Sequence, residues 1–270
     1  MVSQTASAVR YSGNAPENYE KYFVPAIAAP IAQDLMEAAS IRPGERVLDV
    51  ACGTGVVTRM AAERAGNDGQ VAGLDLSPAM LAVARSRTPN GSSMDWYETS
   101  AEAMPLPDGG FDVALCQMGL QFIANRRQAL EEMRRVLRPG GRIALNLPGP
   151  APAFFADFAQ ALARHIDPKA AGFVHAVFSL HDEKELRSLM GAAGFKEVTI
   201  AKARKTLRLP PPEAFLWQYV HSTPLAQLVS RASDEKRAAL TDDVVERWQG
   251  KVADGVFTLE VDMTTVTARV

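Results

Sequence analysis

The chain has 270 residues, 47% of them hydrophobic, with 29 basic and 31 acidic side chains and a formal net charge of −2. That size suits one α/β domain whose core needs no disulfide support, and the mixed charges contain no run of one sign that would suit nucleic acid. The start, MVSQTASAVRYSGN, lacks the apolar stretch of a secretory signal, and the apolar residues 23–32 are too short to cross a bilayer and are interrupted by Pro25 and Pro30. Cys52 and Cys116, both in strand-like apolar runs, fit a reduced protein, so a cytoplasmic setting without membrane insertion is expected.

Residues 15–40 read as one or two helices interrupted at Pro30, with Tyr19, Tyr22 and Phe23 either forming a lid or anchoring the first helix. From Arg46 strands and helices alternate. A strand is expected over 46–50, a helix over 55–65 and a strand over 71–75. Next comes a helix capped by Ser77 with Pro78 in its first turn. SSMDWYET and FDVALCQM are the third and fourth strands. Asn125 can cap a helix that uses Leu130, Met133 and Leu137 and stops at Pro139-Gly140-Gly141, and RIALNL is the fifth strand. Such alternation predicts right-handed crossovers and a mainly parallel sheet.

After Pro148 the rhythm breaks. A helix with Phe154, Phe158, Ala161 and His165 along one stripe follows a loop, and residues 182–192 begin with the capping-box pair Asp182 and Glu185. Gly194 ends that helix and a strand starts near Phe195. Residues 210–250 look helical again. The last run, VFTLEVDMTTVTARV, alternates Phe257, Leu259, Val261 and Met263 against polar neighbours, the pattern of a half-buried and antiparallel strand. The chain reads as a single domain over 1–270. Residues 1–44 are expected to form a helical lid, 45–147 a ligand-binding core, and 150–180 with 210–252 coverings over the strand ends.

The turn between the first strand and helix, Gly53-Thr54-Gly55, lets a ligand approach the backbone at the carboxyl end of a parallel sheet. Asp75 ends the second strand, where a carboxylate can accept both hydroxyls of a ribose. A dinucleotide fingerprint needs a third glycine, but Val56, Val57 and Thr58 follow Gly55. Asp49 would repel a pyrophosphate and attract a cation.

VLDVACGTG, GLDLSPAMLAVAR, SAEAMPLPDGGFDVALCQMGLQF and EEMRRVLRPGGRIAL together resemble the ordered motifs of class I S-adenosylmethionine-dependent methyltransferases, in particular the small-molecule branch that includes the ubiquinone/menaquinone C-methyltransferases. The resemblance covers about residues 45–147. It implies a Rossmann-like, doubly wound α/β fold with a seven-stranded, mostly parallel sheet and a final antiparallel strand. It also implies S-adenosyl-L-methionine as cofactor and S-adenosyl-L-homocysteine as product.

By that resemblance Asp49, Ala51, Gly53 and Gly55 line the methionine part of the cofactor. Asp75 takes the ribose hydroxyls, Leu76 and Met80 lie beside the adenine, Ala101 and Glu102 border it, and Gln117 faces the reactive centre. The chain departs from the usual pattern at Ala51, where many members have glycine, and at Ser100, where many have aspartate.

Methyl transfer from a sulfonium asks mainly for alignment, and a base only if the nucleophile arrives protonated. No catalytic residue is therefore legible, and the four histidines show no metal-ligand spacing. Tyr22, His175, Trp217 and His221 are candidates for contact with a small, apolar or aromatic acceptor. Phe215, Trp217 and Tyr219 form either an aromatic wall or, for Phe215 and Tyr219, an i, i+4 packing pair. His165 reads as a structural histidine on an apolar stripe, and His181 as a local backbone partner. Cys52 and Cys116 read as small buried hydrophobes, and Glu131, Glu132, Arg134 and Arg135 as a solvated helix face. Two other classes share the glycine turn: a protein that binds the same cofactor without turnover, and a nicotinamide-dependent oxidoreductase, which the missing glycine and Asp49 oppose.

Overall fold

A computed structural model describes Tyr11, residues 13–89, Ser92 and residues 94–270. The opening MVSQTASAVR lies outside the described residues, as does much of the stretch between the second helix of the core and its third strand. Among the described residues eight strands form one sheet: β1 (Arg46–Val50), β2 (Gln70–Asp75), β3 (Met94–Glu98), β4 (Phe111–Gln117), β5 (Leu137–Pro148), β6 (Lys196–Leu209), β7 (Val252–Ala253) and β8 (Val256–Arg269). Their order is β3-β2-β1-β4-β5-β8-β6, and the two-residue β7 pairs with β8. This short strand is the one addition to the expected seven. The pairs among β1 to β5 are parallel, whereas β8 runs antiparallel between β5 and β6.

Both sheet faces are covered. On one, α2 (Ala29–Ala39) and α3 (Val56–Ala65) place Leu35, Met36, Val57 and Ala61 against Val47, Leu115 and Ala144. On the other, α5 (Arg126–Val136) and α8 (Glu183–Ala192) place Leu130, Met133, Leu186 and Met190 against Leu48, Ala114 and Leu145. Residues on one strand thus alternate between two apolar layers, which accounts for the near-continuous apolar runs.

The N-cap bonds form as read, while the Glu185 half of the capping box is turned to Arg126 instead. Ser77 accepts from the Met80 amide that opens α4 (Pro78–Ser86), Asn125 from Gln128, and Asp182 from Glu185. The Glu185 side chain reaches Arg126, at 3.2 Å. Two expectations need correction. Pro139-Gly140-Gly141 does not lie between helix and strand: α5 ends at Val136 and the triplet sits inside β5, in a bulge where the register against β4 jumps from Phe111↔Leu137 to Val113↔Arg142. Gly140 supplies the positive φ such a bulge needs.

The N-terminal helical segment does not break at Pro30. It runs from α1 (Ala15–Asn18) through a π-helical stretch (Tyr19–Ala28) containing Pro25 into α2, with Pro30 in the first turn of α2. The Ala29 amide bonds the Val24 carbonyl across the junction, so the helical path continues through it, and both prolines lie in or beside the π-helical irregularity.

Beyond the strand ends a second core forms. It joins α6 (Ala153–His165), α7 (Pro168–Val177), α9 (Pro212–His221), α10 (Leu225–Val229) and α11 (Asp234–Gln249) to the outer half of the β6/β8 hairpin. Trp248 anchors it, stacked on Phe154 at 4.0 Å between ring centres and packed near Phe158, Phe215 and Phe257.

Candidate functional site

The strand order reverses at β1, whose neighbours β2 and β4 lead to opposite edges, so a crevice opens at the carboxyl ends of β1 and β4. The turn after β1 lines it. Ala51, Gly53 and Gly55 all have φ between 57° and 84°. At Gly55 a Cβ would lie 2.4 Å from Trp96 Cη2, so the turn requires glycine there for space as well as for φ. Ala51 holds the left-handed conformation with a Cβ, and Gly119 makes room for it, since a side chain at 119 would meet that methyl at 2.6 Å.

Two carboxylates flank the turn. Asp75 Oδ2 accepts the Gly53 amide and Oδ1 the Ser77 amide, both at 2.8 Å, which fixes the carboxylate and leaves each oxygen able to accept again. Burial raises its pKa above the usual carboxylate value. Asp49 is buried on β1, accepts the Thr58 hydroxyl at 2.6 Å, and is pushed by burial to about 7, so an added cation would favour its charged form. Leu76, directly after Asp75, is 62% exposed, a large apolar side chain presented at the crevice, while Met80 is buried behind it.

The loop after β3 carries Ser100, Ala101 and Glu102. Ala101 is buried, Ser100 Oγ accepts the Glu102 amide at 3.1 Å, and Glu102 Oε1 accepts the Asn125 amide at 2.6 Å. The charged face of α5 is not simply solvated as the sequence suggested. Glu132 accepts the Met104 amide, and Arg135 donates to the Met104 and Leu106 carbonyls while pairing with Glu132 and Asp108. These contacts clamp residues 104–108 to α5.

The N-terminal segment crosses the same crevice. Glu20 pairs with Arg59 at 2.7 Å, and Arg59 also donates to the Thr54 carbonyl of the glycine turn. Tyr19 stacks on Phe23 at 4.6 Å, and burial together with Asp75, Glu20 and Asp49 raises its phenol pKa, so it stays protonated. Gln117, the last residue of β4, donates to the Ala28 carbonyl at 2.9 Å. The sequence reading missed Glu20, Arg59 and Tyr11; Tyr11 meets Tyr19 edge-on at 5.9 Å. Nothing local marks Glu20 and Arg59 as a pair, because they lie 39 residues apart in the chain.

The acceptor candidates are spread more widely. Tyr22 lines a narrow crevice with Phe23, Ile27, Phe215, Gln218 and Tyr219. Phe215 and Tyr219 are buried 5.8 Å apart, the packing-pair alternative. Trp217 and His221 stack on each other at 5.6 Å, and the His221 carbonyl accepts from Asn18. His175 is exposed on α7, whose inward side is Ala170, Ala171 and Val174.

His165 bonds Asp243 at 2.9 Å and braces α6 to α11, and His181 bonds the Phe178 carbonyl at 2.8 Å. Cys52 and Cys116 are free and buried, and burial raises both thiols, Cys116 to about 12. Among the described residues no group of three or more His, Cys, Asp or Glu is placed to hold a metal ion, and no helix is long and apolar enough to cross a membrane. A groove of about 910 Å³ between α8 and the β6/β8 hairpin lies elsewhere, and its charges neutralise one another through Glu183–Arg187 and Arg204–Asp262 pairs.

A glycine turn at the reversal point of a parallel sheet, with an acid fixed at the end of the next strand, defines a Rossmann-like nucleoside-binding fold. Comparison with known proteins narrows the class. The sequence profile of the family described as "Methyltransferase domain" matches residues 48–145. The chain is 31% identical to the ubiquinone/menaquinone biosynthesis C-methyltransferase of Serratia proteamaculans over 61% of its own length and 71% of that protein's. It is 33% identical to the same enzyme of Ectopseudomonas mendocina, over 61% and 70%.

The fold also matches phosphoethanolamine N-methyltransferase 2 of Haemonchus contortus in complex with S-adenosyl-L-methionine. The TM-score is 0.62 at 18% identity, over 99% of this chain and 60% of that one. The chain belongs to the class I S-adenosylmethionine-dependent methyltransferases, and S-adenosyl-L-methionine is its cofactor.

The residues present fit that group. Asp75 keeps free acceptor capacity, the glycine turn admits close approach, and Glu20 Oε2, Thr54 Oγ1 and Gln117 Oε1 are buried beside it without a hydrogen-bond partner. Unpaired buried polar atoms clustered at one crevice are what a polar ligand would satisfy.

Proposed function

We propose that this methyltransferase acts on a small, apolar or aromatic acceptor held between the N-terminal segment and the helices of residues 150–180 and 210–252. The observation that carries this reading is the second core. It is aliphatic and aromatic, and its half-buried members include Phe23, Met118, Phe173 and Trp217. The C-methyltransferases among the relatives favour carbon as the atom methylated. The two buried free thiols suit a reducing, cytoplasmic setting.

The bound cofactor supplies an electrophilic methyl group on a sulfonium cation. Around it Asp49 provides negative charge, and Ala51, Gly53 and Gly55 let the backbone approach the methionine part. Asp75 accepts the two ribose hydroxyls. Leu76 covers the adenine, Met80 backs it, and Ala101 and Glu102 border it. Gln117 stands where the cofactor and acceptor spaces meet. Residues 13–40 close the crevice, with Tyr22 on the acceptor side, and Trp217, His221 and His175 belong to the outer wall. Water exclusion and alignment then supply most of the rate.

The test is to incubate the protein with methyl-labelled S-adenosyl-L-methionine and a panel of quinols, phenols and amines, and to identify products by mass spectrometry. Labelled carbon on an apolar aromatic acceptor is expected. Transfer confined to charged amines, or release of S-adenosyl-L-homocysteine with none of the aromatic members, overturns the reading.

A further inference from the structure

Among the described residues, two of the buried side-chain oxygens that lack a partner belong to residues directly opposite each other on adjacent strands. Gln117 and Asn146 are register partners on β4 and β5, and both Gln117 Oε1 and Asn146 Oδ1 are buried without a hydrogen bond. Asn146 has no exposed surface at all. Gln117 ends β4, Asn146 stands two residues before the end of β5, and adjacent strands are about 5 Å apart. The two oxygens therefore share one layer at the carboxyl edge of the sheet.

Their orientation is set from the other side. Gln117 Nε2 donates to the Ala28 carbonyl at 2.9 Å and Asn146 Nδ2 to the Ile31 carbonyl at 3.3 Å, so both amide nitrogens are tied to the junction of the π-helical stretch and α2. Turning either amide over would set its oxygen against a carbonyl oxygen. The Asn146 backbone carbonyl also accepts from Met118, which holds a left-handed φ of 47° immediately after Gln117. Ile31 and Met118 both pack into the second, apolar core. The pair thus sits at the seam between the cofactor crevice and the apolar half of the molecule.

Two acceptors left unpaired in a low-dielectric seam are costly unless a donor reaches them. A neutral carboxamide oxygen accepts a hydrogen bond but does not take the proton at neutral pH. We propose that Gln117 and Asn146 form a subsite for a hydroxyl group carried by an aromatic acceptor, holding that hydroxyl protonated and setting the angle of the ring. The inference rests on the apolar or aromatic acceptor reading given above and adds to it the donor that the acceptor must carry. It makes the pair positioning and specificity residues, with no proton removed by either.

The experiment compares 2-naphthol with 2-methoxynaphthalene, which keeps the ring and loses the donor. Binding of each is measured by titration calorimetry on the full chain saturated with S-adenosyl-L-homocysteine. The wild type should bind 2-naphthol at least tenfold more tightly. Asn146→Leu and Gln117→Met, two changes of similar volume, should each reduce that ratio toward one with the circular dichroism spectrum unchanged, and Asn146→Leu, which lies outside the cofactor crevice, should keep S-adenosyl-L-homocysteine affinity within twofold.

An unchanged ratio in both variants, or a wild type that binds neither or both probes alike, overturns the subsite and leaves ordered water as the partner of these oxygens. A large loss of S-adenosyl-L-homocysteine affinity with the ratio intact also overturns it and assigns the oxygens to the cofactor. The acceptor reading fails separately, in the labelled-methyl panel: turnover of aromatic members with and without hydroxyls at equal rates removes the subsite and keeps that reading. Turnover of no aromatic member removes that reading itself.

Discussion

The crevice at β1, β2 and β4 and the second core over the strand ends solve opposite problems. The crevice is built from backbone in costly conformations and from buried polar groups: positive φ at Ala51, Gly53 and Gly55, the carboxylates of Asp49 and Asp75, and unpaired oxygens at Glu20, Thr54 and Gln117. The second core is built from rings, with Trp248, Phe154, Phe158, Phe215 and Phe257 buried against one another. One half stores strain and desolvation that a ligand can relieve, and the other gains its stability from apolar burial. Ligand affinity and fold stability should therefore separate when the two halves are perturbed.

The largest effect should come from the second core. Trp248→Ala is expected to destabilise the protein by about 3–5 kcal/mol, the cost of emptying a large aromatic site. Urea unfolding measures this, and at low temperature the affinity for S-adenosyl-L-homocysteine should stay within a few-fold of the wild type. Equal losses of stability and affinity would show that the halves are one energetic unit.

Asp49 tests the opposite half through pH. Its folded pKa of about 7 lies above the ordinary carboxylate value of 3.8, so folding favours the protonated form. The associated stability is fully present below about 4 and is lost as pH rises through 7. Asp49→Asn does not titrate, so its advantage over the ligand-free wild type should be about 2–3 kcal/mol larger at pH 8 than at pH 5. Thermal melts at the two pH values read this difference. The same variant should bind S-adenosyl-L-methionine less well relative to the uncharged thioether product.

Asp75→Ala removes the acceptor proposed for the ribose and strands the Gly53 and Ser77 amides. Calorimetry should show cofactor affinity lowered about tenfold or more, the loss of a hydrogen-bonded charged partner. Unchanged affinity would refute the ribose assignment.

The smallest effect is expected at Ala51→Gly. Relieving a left-handed alanine should stabilise the chain by about 1 kcal/mol or less, with the entropy of a new glycine working against the gain. Gly119→Ala, which meets the Ala51 methyl at 2.6 Å, should be clearly destabilising, and less so in the Ala51→Gly background. Chemical denaturation of the single and double variants measures the coupling.

What was legible follows the range of the interactions. Ser77, Asn125 and Asp182 announce their helices because each cap bonds an amide three residues away. The order of strands and helices follows from apolar periodicity, and the glycine turn from backbone sterics. Glu132 and Arg135 read as surface charges because their partners at residues 104–108 lie 27 or more residues back in the chain. Asn146 is one polar residue in the apolar run RIALNL, and its meaning depends on Gln117 opposite and Ile31 above.

The sequence by itself determined the alternating α/β order, the antiparallel last strand and a crevice that favours a cationic nucleoside cofactor. Each of these rests on local geometry or on a resemblance carried by short motifs. Tertiary structure alone decided that Pro25 lies within a continuous helical segment over that crevice, that Trp248 rather than Trp217 anchors the second core, and that two carboxamides meet at the seam. Those outcomes depend on which distant surfaces close over one another to bury apolar area, and no window of neighbouring residues encodes that.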